Sequence, residues 1–113
     1  MFDPTTCIHG ALVLRTSRGE AGVMRVRLQG ELDAFSRAAL RHLLRQLDLP
    51  STRYLDLNLS AISFCDSSGC LGLLSFYERA TNAGFNVRMR SASSQLRGLA
   101  ELVNPDTVQV FEK

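Results

Sequence analysis

Tyr54-Leu55-Asp56-Leu57-Asn58-Leu59, then Asp66-Ser67-Ser68-Gly69, then the apolar run from Cys70 to Ala80: this order decides the fold. The first segment alternates polar and apolar side chains with the two-residue period of a strand that has one wet face. The run after Gly69 carries Leu71, Leu74, Tyr77 and Ala80 at helical spacing. That spacing predicts a helix that begins within Ser67 to Gly69, turns those four residues inward and ends at Asn82-Ala83-Gly84. Asp66-Ser67-Ser68-Gly69 therefore marks the change from strand to helix. The first four N–H groups of a helix lack internal partners, and the macrodipole places partial positive charge there. A serine at such a point either caps the helix or carries a phosphate. Asp, Ser and Gly are also the ordinary residues of turns, so the tetrapeptide gains its weight from the rest of the chain.

Working outward, residues 1–10 read as a short tail. Ala11 to Thr16 and Val23 to Gln29 read as two strands joined by the turn Arg18-Gly19-Glu20-Ala21-Gly22. In the second, Met24, Val26 and Leu28 oppose Arg25 and Arg27. Ser36 to Leu49 places Ala39, Leu40, Leu43, Leu44 and Leu47 at helical spacing and stops before Pro50. Asn86 to Arg90 alternates again. Ser93 or Ser94 can cap a third helix with Leu96, Leu99, Ala100 and Val103 on one face, closed by Asn104-Pro105, and Val108 to Phe111 reads as a last strand. The order β-β-α-β-α-β-α-β over residues 11–113 predicts one α/β domain, a mixed sheet of about five strands with helices mainly on one face.

Composition narrows the function. With 113 residues the chain fits one domain, and surface scaling lets it bury about two-thirds of the area its unfolded form exposes. The charge of +2, from 13 basic and 11 acidic residues, is too small and too dispersed to imply nucleic acid. Arg37, Arg41 and Arg45 fall at helical spacing without interleaved aromatics for base stacking, which fits a solvated face or an acidic protein partner. Cys7, Cys65 and Cys70 are an odd number without C-x-x-C spacing, as expected of a reducing cytoplasm. No signal peptide and no apolar run approaching the roughly 20 residues of a membrane span is visible, so no membrane role is expected.

Several chemistries fail on residue type. His9 and His42 form no ligand cluster with Cys7, Cys65 or Asp66, so no metal is expected. A serine-hydrolase elbow needs Gly where Cys65 or Asp66 stands. Cys65 and Cys70 read as small buried hydrophobes, since no histidine follows to serve as a base. No glycine-rich phosphate loop is present, so the chain is expected to bind no nucleotide or other cofactor itself. Asp33, after Gly30-Glu31-Leu32, can cap the helix starting near Phe35 or Ser36. Loops that follow neighbouring strands at one sheet edge meet, so Asp33 and Ser67 are expected to share a small polar surface.

Gly30-Glu31-Leu32-Asp33, Leu55-Asp56-Leu57 and Phe64-Cys65-Asp66-Ser67-Ser68-Gly69 together resemble, in order and spacing, STAS domains of the anti-sigma factor antagonist type, a likeness that runs from about Ala11 to Phe111. The resemblance implies a non-enzymatic module that binds an anti-sigma factor serine kinase and so frees the sigma factor. It implies that phosphorylation of Ser67 ends the binding, and that a PP2C-type phosphatase reverses it. Carried over by position, the partner-binding residues are Asp33, Asp66, Ser67, Ser68 and Gly69. Cys70 departs from the leucine usual after the motif glycine. The alternatives are a constitutive STAS subunit of a transporter or signalling assembly, in which Ser67 is only a cap, and a small enzyme using Cys65 or Ser67 as nucleophile.

Overall fold

The computed structural model describes residues 5–9, 12–20, 22–46 and 52–112. Six strands form one sheet in chain order: β1 (Thr5–His9), β2 (Leu12–Arg18), β3 (Val23–Leu32), β4 (Tyr54–Cys65), β5 (Asn86–Arg90) and β6 (Phe111–Glu112). The first three pair antiparallel, and β3 through β6 pair parallel. The parallel half requires crossovers, which α1 (Ser36–Gln46), α2 (Ser67–Asn82) and α3 (Ser94–Val103) supply. The mixed α/β architecture expected from the pattern is therefore present, with one strand more at its N-terminal edge.

Period-two alternation fixes the register. Val26 and Leu28 of β3 and Leu55, Leu57 and Leu59 of β4 are fully buried beneath the helices, while Arg25, Arg27 and Gln29 face solvent. Leu40 and Leu43 of α1, Leu73 and Phe76 of α2, and Leu96 and Ala100 of α3 complete the core from above. Gly22, at φ 77°, makes the turn into β3, and its carbonyl accepts N–H bonds from both Arg53 and Tyr54 at 2.7 and 2.9 Å.

Four expectations need correction, and two reach beyond the described residues. Thr5–His9, assigned to a tail, pairs with β2 from Thr5↔Thr16 to His9↔Leu12; a five-residue edge strand owes its structure to that pairing more than to its own pattern. The strand beginning at Tyr54 runs past Leu59 to Cys65. Helix α2 turns Cys70, Leu73, Phe76 and Ala80 inward, whereas Leu71 is exposed and Leu74 and Tyr77 are only half-buried. Cys70-Leu71-Gly72-Leu73-Leu74 is apolar around the whole first turns, so composition did not choose the face; close packing at Gly69 and Gly72 did. The strand expected over Val108 to Phe111 is a 3-10 turn, Pro105–Val110, followed by the two-residue β6. The final turn expected of the first helix, Leu47 to Leu49, and the start of the first strand at Ala11 lie outside the described residues.

Candidate functional site

The parallel pairing of β3 with β4 ends at Leu32↔Cys65, so the loops after both strands leave the sheet side by side. Asp66 N–H donates to the Leu32 carbonyl at 3.1 Å, and the Ser63 hydroxyl donates to the Gly30 carbonyl at 3.1 Å. Gly69 completes the junction. A Cβ there would collide with the Leu32 carbonyl and lie 2.6 Å from the Asp33 nitrogen, so the first turn of α2 touches the β3–α1 loop backbone to backbone. The expected meeting of the Asp33 and Ser67 loops is realised in this way.

The cap of α2 is Asp66. Its Oδ1 accepts the Gly69 N–H at 2.7 Å from an extended backbone, φ −102° and ψ 178°. Ser67 is thereby left as the first residue of the helix, exposed, with its capping task already taken by its neighbour. Ser68 is half-buried and Gly69 buried. Across the junction Asp33 forms a local turn, its Oδ1 accepting the Phe35 N–H at 2.9 Å. The start of α1 is locked by Ser36, 1% exposed. Its Oγ accepts the Asp33 N–H at 2.9 Å and donates to the Glu31 carbonyl at 3.2 Å. A third loop joins this edge through Gln95 Nε2, which donates to the Cys65 carbonyl at 3.5 Å. Asp33, Asp66, Ser67, Ser68 and Gly69 thus lie at one end of the sheet, Asp33 in the β3–α1 loop and the others at the adjoining start of α2.

Sequence reasoning overlooked the apolar surroundings of this polar centre. Phe35 is 78% exposed in the β3–α1 loop, and Phe64 is 46% exposed at the end of β4, where its register partner is Glu31. Leu71, 41% exposed, lies one helical turn after Ser67 on the same side of α2. Large apolar side chains held in water around a polar centre are a signature of protein docking surfaces. The signal in the sequence was Phe35 between turn residues and Phe64 out of phase with the buried positions of its strand.

Cys65 and Cys70 lie beneath Ser67, 3% and 0% exposed. Contact with the Cys70 thiol, then burial, pushes the Cys65 thiol far above its ordinary range, and Cys65 Sγ donates to the Asp66 carbonyl at 3.4 Å. The same contact shifts the Cys70 thiol down, and a protonated, buried thiol such as that of Cys65 is a poor nucleophile. Among the described residues, no group of three or more His, Cys, Asp or Glu side chains gathers to hold a metal ion. No helix among them is long and apolar enough to cross a membrane.

Comparison with known proteins agrees with this architecture. No curated protein matches the chain. Among solved structures, the murine anion transporter Slc26a9 superposes at TM-score 0.65 with 20% identity over 76% of this chain, which spans only 14% of that protein's length. The anti-sigma factor antagonist SpoIIAA of Bacillus, in its unphosphorylated form, superposes at 0.63 with 18% identity over 88% of this chain and 85% of its own. An anti-sigma factor antagonist from Mycobacterium paratuberculosis gives 0.60 with 21% identity, covering 95% and 81% of the two chains. At these identities the likeness concerns the fold. The STAS domain family profile matches residues 15–112, nearly the whole chain, and the chain belongs to the STAS domain family.

Proposed function

We propose that this STAS domain is an anti-sigma factor antagonist, a cytoplasmic binding module rather than an enzyme. Its unphosphorylated form captures an anti-sigma factor serine kinase, the captured sigma factor is released, and phosphorylation of Ser67 ends the association. A PP2C-type phosphatase restores the active form. The observation that carries this reading is the division of labour at the helix start: Asp66 caps α2, and Ser67 stands exposed beside it. A phosphate there adds roughly −1.5 to −2 charges at the positive end of a helix, which the free domain tolerates. The same charge stands beside Asp66 and faces the loop of Asp33, on a surface that Phe35, Phe64 and Leu71 make adhesive. Desolvating it against a partner costs several kcal/mol, and each 1.4 kcal/mol is about tenfold in affinity, so a loss of about a hundredfold or more is expected.

The superposition on part of an anion transporter, as good as that on the antagonists, favours a second reading: a constitutive subunit in which Ser67 is merely exposed. Incubation of wild type and Ser67→Ala with a panel of anti-sigma kinases and ATP, read by intact mass, separates the two. One added phosphate, absent from the variant, is the expected result. No addition from any kinase transfers the assignment to the constitutive subunit.

A further inference from the structure

Between α1 and α2 runs a groove with a cavity of about 80 Å³, walled by Arg37 and Arg41 on one side and Arg79 on the other. Its floor is apolar, formed by Leu40, Leu44 and Phe76, and Ser75 offers a hydroxyl. Among the described residues, no carboxylate lines it. Helix α1 contains no Asp or Glu, and the single acid of α2, Glu78, borders a separate hollow with Leu74 and Val103. Arg37 and Arg41 repel one another at the i,i+4 spacing, and Arg79 adds a third cation to the same space. Gly72 sets the groove's depth: a Cβ there would come within 2.9 Å of Arg37 Cγ, so the arginine stem lies across the bare helix backbone. The groove also belongs to the candidate site's surface. Ser68, Gly72, Ser75 and Arg79 succeed one another along one side of α2, so the groove begins one turn from Ser68.

From this geometry we infer that the α1–α2 groove receives an acidic segment of the partner protein, one that brings carboxylates to Arg37, Arg41 and Arg79. The identity of that partner as the kinase rests on the function proposed above; the chemistry of the groove does not. The cations are strung along two helices, Arg37 to Arg41 spanning about 6 Å of axis. A single small anion satisfies such a row poorly, whereas a peptide carrying successive carboxylates spans it. Continuity with the Ser67 surface places a docked partner within reach.

The test is a fluorescence-anisotropy titration of the whole chain with a short labelled peptide rich in Glu and Leu, against the same peptide with Gln for Glu. Saturable binding of the Glu peptide alone is expected, weakened about tenfold or more in Arg41→Glu/Arg79→Glu. It should be almost unchanged in Arg15→Glu/Arg27→Glu, which reverses two exposed charges on the opposite, helix-free face of the sheet. Arg41→Gln/Arg79→Gln, checked for folding by circular dichroism, repeats the test without charge reversal. Equal loss from both charge-reversed pairs, equal binding of the Gln peptide, absence of saturable binding, or displacement by inorganic phosphate at matched ionic strength overturns the inference. The intact-mass assay on the same variants keeps the two proposals apart. Peptide binding without Ser67 phosphorylation leaves the groove standing and removes the switch; Ser67 phosphorylation at an unchanged rate in Arg41→Glu/Arg79→Glu removes the groove as the kinase's dock.

Discussion

Substituting alanine for glycine should have opposite effects at Gly69 and Gly98. Both lie in helices, where Ala is favoured over Gly by about 1 kcal/mol. At Gly98 an added Cβ meets nothing within 4 Å, so Gly98→Ala should stabilise the domain by about that amount. At Gly69 the added atom runs into the Leu32 carbonyl and comes within 2.6 Å of the Asp33 nitrogen, both backbone, which no rotamer change relieves. Overpacking of this kind costs about 3 kcal/mol, and subtraction of the propensity gain leaves a net loss of about 2 kcal/mol. For 113 residues the unfolding entropy makes 1 kcal/mol worth about 4 °C. Thermal denaturation followed by circular dichroism should show Gly69→Ala melting about 8 °C below wild type and Gly98→Ala about 4 °C above it. The clash can be eased only by moving the start of α2 off the β3–α1 loop, so Gly69→Ala should also weaken partner binding. A melting temperature for Gly69→Ala at or above wild type would refute the claim that the two loops are seated backbone on backbone.

Three further expectations follow from the same geometry. Asp66→Ala removes the cap of α2 and should cost about 1 kcal/mol, whereas Ser67→Ala should stay within about 0.5 kcal/mol of wild type in urea denaturation. The reverse order would make Ser67 the capping residue. Phe35→Ala should leave the melting temperature unchanged and weaken capture of the proposed kinase partner by about tenfold in a binding titration, because an exposed aromatic contributes to an interface and little to the core. An intact affinity would take Phe35 out of the docking surface. The Cys65 thiol is held protonated by contact with Cys70 and by burial, so the unfolded chain ionises first. The stability it contributes is full below the ordinary thiol value of 9.0 and is lost as pH rises beyond it. Between about pH 9 and about pH 10.5 the wild type should lose more stability in urea titrations than Cys65→Ala/Cys70→Ala, which removes both partners of the thiol contact, and parallel profiles would contradict the assignment.

Which parts of the fold the sequence displayed depends on which residues met a strong local constraint. Leu55, Leu57 and Leu59 had to alternate because only one face of β4 meets the core, and Ser93 and Asn104 bracket α3 with recognisable cap chemistry. Where local patterns were balanced, tertiary contacts decided. The extension of β4 through Ser60-Ala61-Ile62-Ser63 lacks alternation, and its pairing with β3 shifts register between Arg27 and Gln29 and again between Gly30 and Glu31. In α2 the excess of apolar residues offered two faces, and close packing at Gly69 and Gly72 selected the one that leaves Leu71 in solvent. The polar half of the candidate site was legible because Asp33, Asp66 and Ser67 belong to turns with a grammar of their own. Its apolar half was hidden, since nothing local distinguishes an exposed Phe35 from a buried one.

In the proposed switch, the cap at Asp66 lets a phosphate on Ser67 act on binding without acting on folding. Had Ser67 supplied the cap, phosphorylation would change the group that terminates α2, and the modified helix would start differently. With Asp66 Oδ1 on the Gly69 N–H and the Asp66 N–H on the Leu32 carbonyl, the helix start is fixed by groups the phosphate does not replace. The core beneath Ser67 is equally insulated, because Cys65, Cys70 and Leu73 are buried. The added charge therefore has its effect outward, on whatever desolvates Ser67. The proposed switch therefore needs its acceptor one residue after the cap, the position that Ser67 holds.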